Sequence, residues 1–258
     1  MSTERPDQEE RQASVQASAE EILAEAQRRI EARDQPEVPE AQQAMAETLN
    51  RGVYWLSRHW AGVINALILL YVGGTFLAPV LFKIGMPRLG QALHLFYGPF
   101  CHQYPFRSWF LFGPQAARPL QEPISLEAMN ELRRVVGNPE IGYKTAFCQR
   151  DVAIYGMMGL VGIAYKPLRK RFKIQPLPFW LFFLFGIMPM MLDGGVQWIS
   201  YALWQFIPGV LAQPFETIPL MRTLTGSLFG AGVVALLYPY LDEYFDEVRT
   251  TLEDKYGW

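Results

Sequence analysis

The residues best suited to chemistry in this chain are few. Its soft and imidazole donors are two cysteines, Cys101 and Cys148, and three histidines, His59, His94 and His102. Cys101 adjoins His102, Cys148 stands three residues before Asp151 with Arg150 between them, and Asp193 stands four residues before Gln197. Residues three or four apart share a helix face, so Cys148 with Asp151, and Asp193 with Gln197, each project as a pair. Sulfur, imidazole nitrogen and carboxylate oxygen are the donors that a zinc-like divalent ion accepts. Cys101, His102, Cys148 and Asp151 are therefore the candidate metal set. Adjacent Cys and His cannot both face one ion from an ideal helix, but they can from an irregular segment, which Pro99 and Pro105 favour. The spacing matches no standard zinc motif, and two other readings stay open. The thiols could close a Cys101–Cys148 disulfide in an oxidising compartment, or stay free and redox-active with Arg150 lowering a thiolate pKa. His59 and His94 read as packed or interfacial side chains.

The elements that must hold these residues are membrane helices. Half of the 258 residues are hydrophobic and the net charge is −2, but the charges crowd the first 58 residues, a middle loop, a short basic stretch and the tail. Trp60 to Phe82 carries no charge, and about 20 apolar residues cross a hydrocarbon core of roughly 30 Å. Further spans are expected from near Thr145 through Val152 to Tyr165, from Ile174 to Leu192, and from Leu224 to Leu241. Leu89 to Phe106 is uncharged but holds two prolines, two histidines and two glutamines, which suits an interfacial or re-entrant segment. Gly194 to Phe215 is uncharged and long enough to cross, yet Gln197, Gln205, Gln213, Pro208 and Pro214 favour an interfacial reading. The predicted fold is an all-α integral membrane protein with about four transmembrane helices and re-entrant or interfacial segments. Residues 1–58 form a charged cytoplasmic region, partly disordered or helical, with a capping box at Ser18-Ala19-Glu20-Glu21 and a weak apolar stripe of Ile22, Leu23, Ala26 and Ile30. Residues 59–241 form the transmembrane domain with an outer loop at 83–145. That loop holds one short helix from an N-cap at Ser125 to Gly137. Residues 242–258 form an acidic cytoplasmic tail.

Lys166, Arg169, Lys170, Arg171 and Lys173 make the densest short basic loop. Short loops of this kind stay in the cytoplasm, so both termini are expected inside a cell (inner) membrane. One consequence follows without further assumption: Cys101, His102, Cys148, Arg150, Asp151, Asp193 and Gln197 all fall at the same outer face.

Four ordered motifs carry a resemblance. Cys101-His102-Gln103 with Arg107-Ser108, then Cys148-Gln149-Arg150-Asp151 with Ile154-Tyr155-Gly156, then Asp193-Gly194 with Gln197, then Arg222 with Thr225-Gly226 resemble the DUF2085 family. That family comprises multi-pass membrane proteins without an assigned activity. The likeness runs from about Trp60 to Leu241. It implies a membrane fold and a polar site to which Gln103, Arg107, Arg150, Asp193, Gln197 and Arg222 contribute, but no mechanism. Many members carry a further cysteine where this chain has Asp151, so a site needing three thiolates is not implied.

Nucleotide-binding, hydrolase and metalloprotease motifs are absent: no G-x-x-x-x-G-K-[ST], G-x-S-x-G or H-E-x-x-H occurs. No basic, aromatic-interleaved patch suits nucleic acid. The sequence alone does not decide whether the protein is an enzyme. Its leading reading is a metal- or redox-linked site at the outer face. A non-enzymatic accessory or assembly subunit of a membrane complex, stapled by a Cys101–Cys148 disulfide, is the alternative. A small transporter whose broken segments around Pro99 and Pro208 line a path is a third. Gly156, Gly159 and Gly162 recur at three-residue intervals and favour close helix packing.

Overall fold

The structure, a computed structural model, describes residues 39–120, 126–207 and 209–258, together with Ala24 and Arg28. The capping box at Ser18-Ala19-Glu20-Glu21, the stripe of Ile22, Leu23, Ala26 and Ile30, the N-cap at Ser125 and Pro208 lie outside them. The chain divides into two units, Met1–Arg51 and Gly52–Trp258. In the first, the described residues are Ala24, Arg28, Pro39 and the opening turns of a helix, on which Arg51 pairs with Glu47.

Six helices make up most of the described chain: α1 (Glu40–Lys83), α2 (Pro87–Tyr97), α3 (Leu126–Arg134), α4 (Gln149–Arg171), α5 (Phe179–Phe206, with a π-helical turn at Phe183–Ile187) and α6 (Pro219–Tyr256). Three of them, α1, α5 and α6, are long and apolar enough to cross a membrane. This is a helical membrane protein. The remaining expected crossing, α4, carries Arg150 and Asp151 in its first turn and a run of basic residues in its last. Two of its sides pack against α1 and α6, while Leu160 and Ile163 stay exposed. A Cβ at Gly159 would lie 2.7 Å from Leu69 on α1, and one at Gly230 of α6 would lie 2.3 Å from the Ile154 carbonyl oxygen of α4. Small residues let helices approach this closely. Gly162 also packs against α1, at Asn65, whereas Gly156 faces open space. The Tyr238 hydroxyl on α6 donates to Asn65 Oδ1 on α1 at 2.7 Å, and Trp60, Tyr165, Val234 and Tyr238 close the core at that level.

Several expected boundaries move. The third helix does not stop at Leu192 but continues through Gly194 to Phe206, because the polar side chains along it find partners inside the fold. Pro178 caps that helix rather than lying within it. The fourth runs on through the tail to Tyr256 and ends at Gly257 in the left-handed conformation. Leu89 to Phe106, expected as an interfacial or re-entrant segment, holds most of α2, then a turn, an extended stretch and the start of one 3-10 turn at Pro105–Arg107.

The expected all-helical chain also contains a small sheet. Strands β1 (Ser108–Leu111), β2 (Gly137–Asn138) and β3 (Gly142–Cys148) form an antiparallel sheet with β3 central, Ser108 opposite Cys148 and Leu111 opposite Tyr143. The β2–β3 hairpin turns on Asn138, whose side-chain oxygen accepts from the backbone N–H of Glu140 and Ile141, both at 3.0 Å. Gly142 takes φ +84° where a Cβ would lie 2.5 Å from the Leu111 carbonyl oxygen, so only glycine fits without strain. Thr145, expected at the start of the second span, lies on β3. That helix begins four residues later, at Gln149.

Candidate functional site

The strand β3 ends at Cys148, and the chain turns there into α4 with Cys148 as its N-cap residue (φ −73°, ψ 164°). This geometry sets Asp151 one turn on, where its carboxylate accepts from the Cys148 thiol at 3.2 Å. Cys101 arrives from the turn after α2. The Cys148 backbone N–H donates to its Sγ at 3.3 Å, and the residue is buried among Tyr97, Ala146 and Phe147. One ligand atom each from Cys101, Cys148 and Asp151 lie within 4.8 Å of one another. Both cysteines are free thiols, not the disulfide that their common placement suggested. Cys148 spends its thiol on the Asp151 carboxylate instead. The Cys148 thiol and burial push the Cys101 thiol up. Cys101 is in this respect unlike the depressed thiolate of a reactive cysteine.

His102 does not join that group of three. It is exposed and stacks on Tyr104, ring centroids 5.7 Å apart. It does line the same cavity of about 200 Å³, as do Cys101, Cys148, Arg150 and Asp151. Gln103 follows with φ +57°, a conformation uncommon outside glycine. It is fixed on three sides: its amide donates to the His94 carbonyl oxygen at 2.7 Å, its side-chain oxygen meets His94 Nδ1 at 3.2 Å, and its carbonyl accepts from Lys144 Nζ at 2.7 Å.

The other motif residues form two buried ion-pair groups beside the thiols. Arg150 pairs with Asp193, which also accepts from the Thr225 hydroxyl at 3.2 Å. The glycines after Asp193 and Thr225 have a steric role. A Cβ at Gly194 would lie 3.0 Å from Arg150 Nη1, and one at Gly226 would lie 2.7 Å from the Arg150 carbonyl oxygen. Glu216, in the segment between α5 and α6, receives Arg107, Arg222, Gln197 and Tyr201 together. Arg222 is also bound by Thr217 Oγ1 at 3.0 Å, the Phe106 carbonyl oxygen at 3.2 Å and Gln149 Oε1 at 3.3 Å. The Arg107 guanidinium lies over the rings of Tyr104, Phe106 and Tyr201 at 5.1–5.4 Å.

Every sequence-predicted site residue thus comes to one end of the bundle, and the three arginines are each matched to a carboxylate. Two residues were missed. Glu216 is the only charged residue between Asp193 and Arg222, and that isolation in an apolar stretch was the available signal. Lys144 is fully buried and donates to the Gln103 and Arg133 carbonyl oxygens, both at 2.7 Å. Nothing in its sequence position distinguishes it from a solvated loop lysine.

A helical membrane bundle that closes two thiols, a carboxylate and a set of buried arginine pairs under a small sheet is the class of protein defined here. Residues 141–236 match the family model described as "Predicted membrane protein (DUF2085)", so the resemblance carried by the motifs holds there. The chain is also similar to the uncharacterized protein MJ1492 of Methanocaldococcus jannaschii, 23% identical over 193 residues that cover 73% of this chain and 96% of that one. No solved structure matches the chain.

Proposed function

We propose that this polytopic membrane protein binds a zinc-like divalent ion through Cys101, Cys148 and Asp151. The observation that carries the reading is the convergence of two sulfurs and a carboxylate oxygen within 4.8 Å, contributed by segments 47 residues apart in sequence. Two thiols and an acid at one point give a donor set that a divalent cation turns into thiolates plus carboxylate. His102, on the same cavity wall, reaches a fourth position by rotating off Tyr104. The Arg150–Asp193 pair next to Asp151 orients the donor side without contributing a ligand. The site lies on the outer face of an inner membrane, with both termini cytoplasmic. Supporting this, Cys148 and the basic stretch Lys166–Lys173 stand at opposite ends of α4, roughly 30 Å apart at 1.5 Å per residue.

The test is metal content by mass spectrometry together with a free-thiol count on one purified, detergent-solubilised sample, beside Cys148→Ser and Asp151→Asn variants. A stoichiometric metal in the parent, thiols that become titratable only after chelation, and loss of metal in Cys148→Ser are expected. Two readily titrated thiols in a metal-free parent that takes up no added zinc overturn the reading.

A further inference from the structure

A second cavity, of about 490 Å³, lies between α2 and α3 on the same side of the bundle. Its wall includes Arg133 and Arg134 from α3, Asn130, and Gln91 and His94 from α2, and no carboxylate is among its described lining residues. Arg133 spends one guanidinium nitrogen on the Gly98 carbonyl oxygen at 3.0 Å, and Arg134 has only a long 3.8 Å approach to Glu131 between two exposed side chains. Behind the wall sits Lys144, fully buried, whose ammonium hydrogen-bonds two carbonyl oxygens, those of Gln103 and Arg133. Both of these residues line the cavity. Buried charges are ordinarily paired. Here two arginines line a space with no carboxylate among its described residues, and a buried lysine is bonded to the backbone of two of them.

His94 adds a second requirement. It is 4% exposed. The Gln103 amide donates to the His94 carbonyl oxygen, which leaves the Gln103 side-chain oxygen to accept from Nδ1–H. Nε2 is then a lone-pair acceptor, and it has no hydrogen-bond partner among the described residues. The complementary ligand is an anion that also carries a hydroxyl donor.

Leu95 in the cavity wall is more than half exposed, as are Phe96 and Phe100 next to it in sequence but outside the cavity, an apolar surface of the kind a helix in a membrane interface presents. We propose that this cavity binds a phosphate group bearing a nearby hydroxyl, held by the Arg133 and Arg134 guanidinium groups in its wall. An acidic phospholipid with a hydroxylated headgroup and free hydrogen phosphate share that chemistry.

The experiment uses the full chain in phosphatidylcholine nanodiscs with and without phosphatidylglycerol, and counts retained lipid by native mass spectrometry. Phosphatidylglycerol is retained selectively by the parent. Arg133→Gln weakens retention about tenfold, the share of one charge-assisted hydrogen bond, and Arg133→Lys restores part of it. Arg88→Gln removes an exposed charge of α2 outside the cavity and leaves retention within about twofold, since exposed charges contribute little. Asn130→Asp places a carboxylate in the wall without deleting a bond and weakens retention even if Arg133→Gln folds poorly. Inorganic phosphate added to the same sample separates the two sources. Saturable phosphate binding that displaces the lipid assigns the site to free phosphate, and lipid binding indifferent to phosphate assigns it to the headgroup. Equal retention of both lipids with no phosphate binding overturns the proposal, as does an equal loss in Arg88→Gln and Arg133→Gln.

Discussion

Replacing Glu216 by Gln tests whether the buried charge network, rather than apolar packing, holds α5 and α6 to the 3-10 turn before β1. The Glu216 side chain is 13% exposed, and its two arginine partners, Arg222 and Arg107, are 3% and 21% exposed. Glutamine keeps the shape and one acceptor oxygen but removes the charge and turns an N–H₂ toward donors. Breaking a buried pair at one partner costs about 3–5 kcal/mol. The lower end applies here, because Arg222 keeps Thr217, Phe106 and Gln149 as acceptors and Arg107 keeps its three rings. A loss of about 3 kcal/mol is therefore expected, on the scale of a buried pair broken from one side. It is read from SDS-titrated unfolding in mixed micelles, followed by tryptophan fluorescence. In the Glu216→Gln, Arg222→Met double variant the losses are sub-additive, since the second change removes the charge that the first one stranded. A single-variant loss below about 1 kcal/mol, the scale of an exposed pair, or strict additivity, refutes the reasoning.

Two further outcomes follow from the packing and from His94. Gly230→Ala forces a Cβ to within 2.3 Å of the Ile154 carbonyl oxygen, so it separates α4 from α6 at a cost of about 1–3 kcal/mol; Gly156→Ala meets no atom within 4 Å and is neutral in the same titration. Burial, and after it the nearby Lys144 charge, hold the His94 imidazole down at about 4 against the ordinary 6.5. Between those values the unfolded chain takes up a proton that the folded chain refuses, so stability falls as the pH drops through that window, by up to about 1.4 kcal/mol per unit. Unfolding midpoints of parent and His94→Gln between pH 7 and 4 check it, and the acid slope is smaller in the variant.

The membrane helices were legible because lipid leaves a simple mark: Trp60–Phe82 has no charge, and the structure carries a helix through it. The polar site was legible through the order of its motif residues, all of which reach one end of the bundle. The sheet was not. Its strands have four, two and seven residues, and β3 runs straight into α4, so Thr145–Cys148 read as the opening of a span. The end of α5 was misplaced for a related reason. Gln197 argues for an aqueous boundary when polarity alone is weighed, yet it is buried against Glu216. Whether a polar residue meets water or a partner depends on which distant segment folds against it. For Gln197 and Lys144 those partners are 19 and 41 residues away along the chain.

The π-helical turn at Phe183–Ile187 separates two jobs on one helix. Before it, Phe182 wedges against Gly232 of α6, where a Cβ would lie 2.5 Å from the ring; after it, Asp193 and Gln197 hold the arginine network. An α-helix turns about 100° per residue, so an extra residue elsewhere in α5 would swing the acid away from Arg150. A wide turn of this kind takes up one surplus residue without passing the rotation on. It works as an expansion joint: one extra residue is absorbed between the wedge and the acid, and the acid keeps its aim at Arg150.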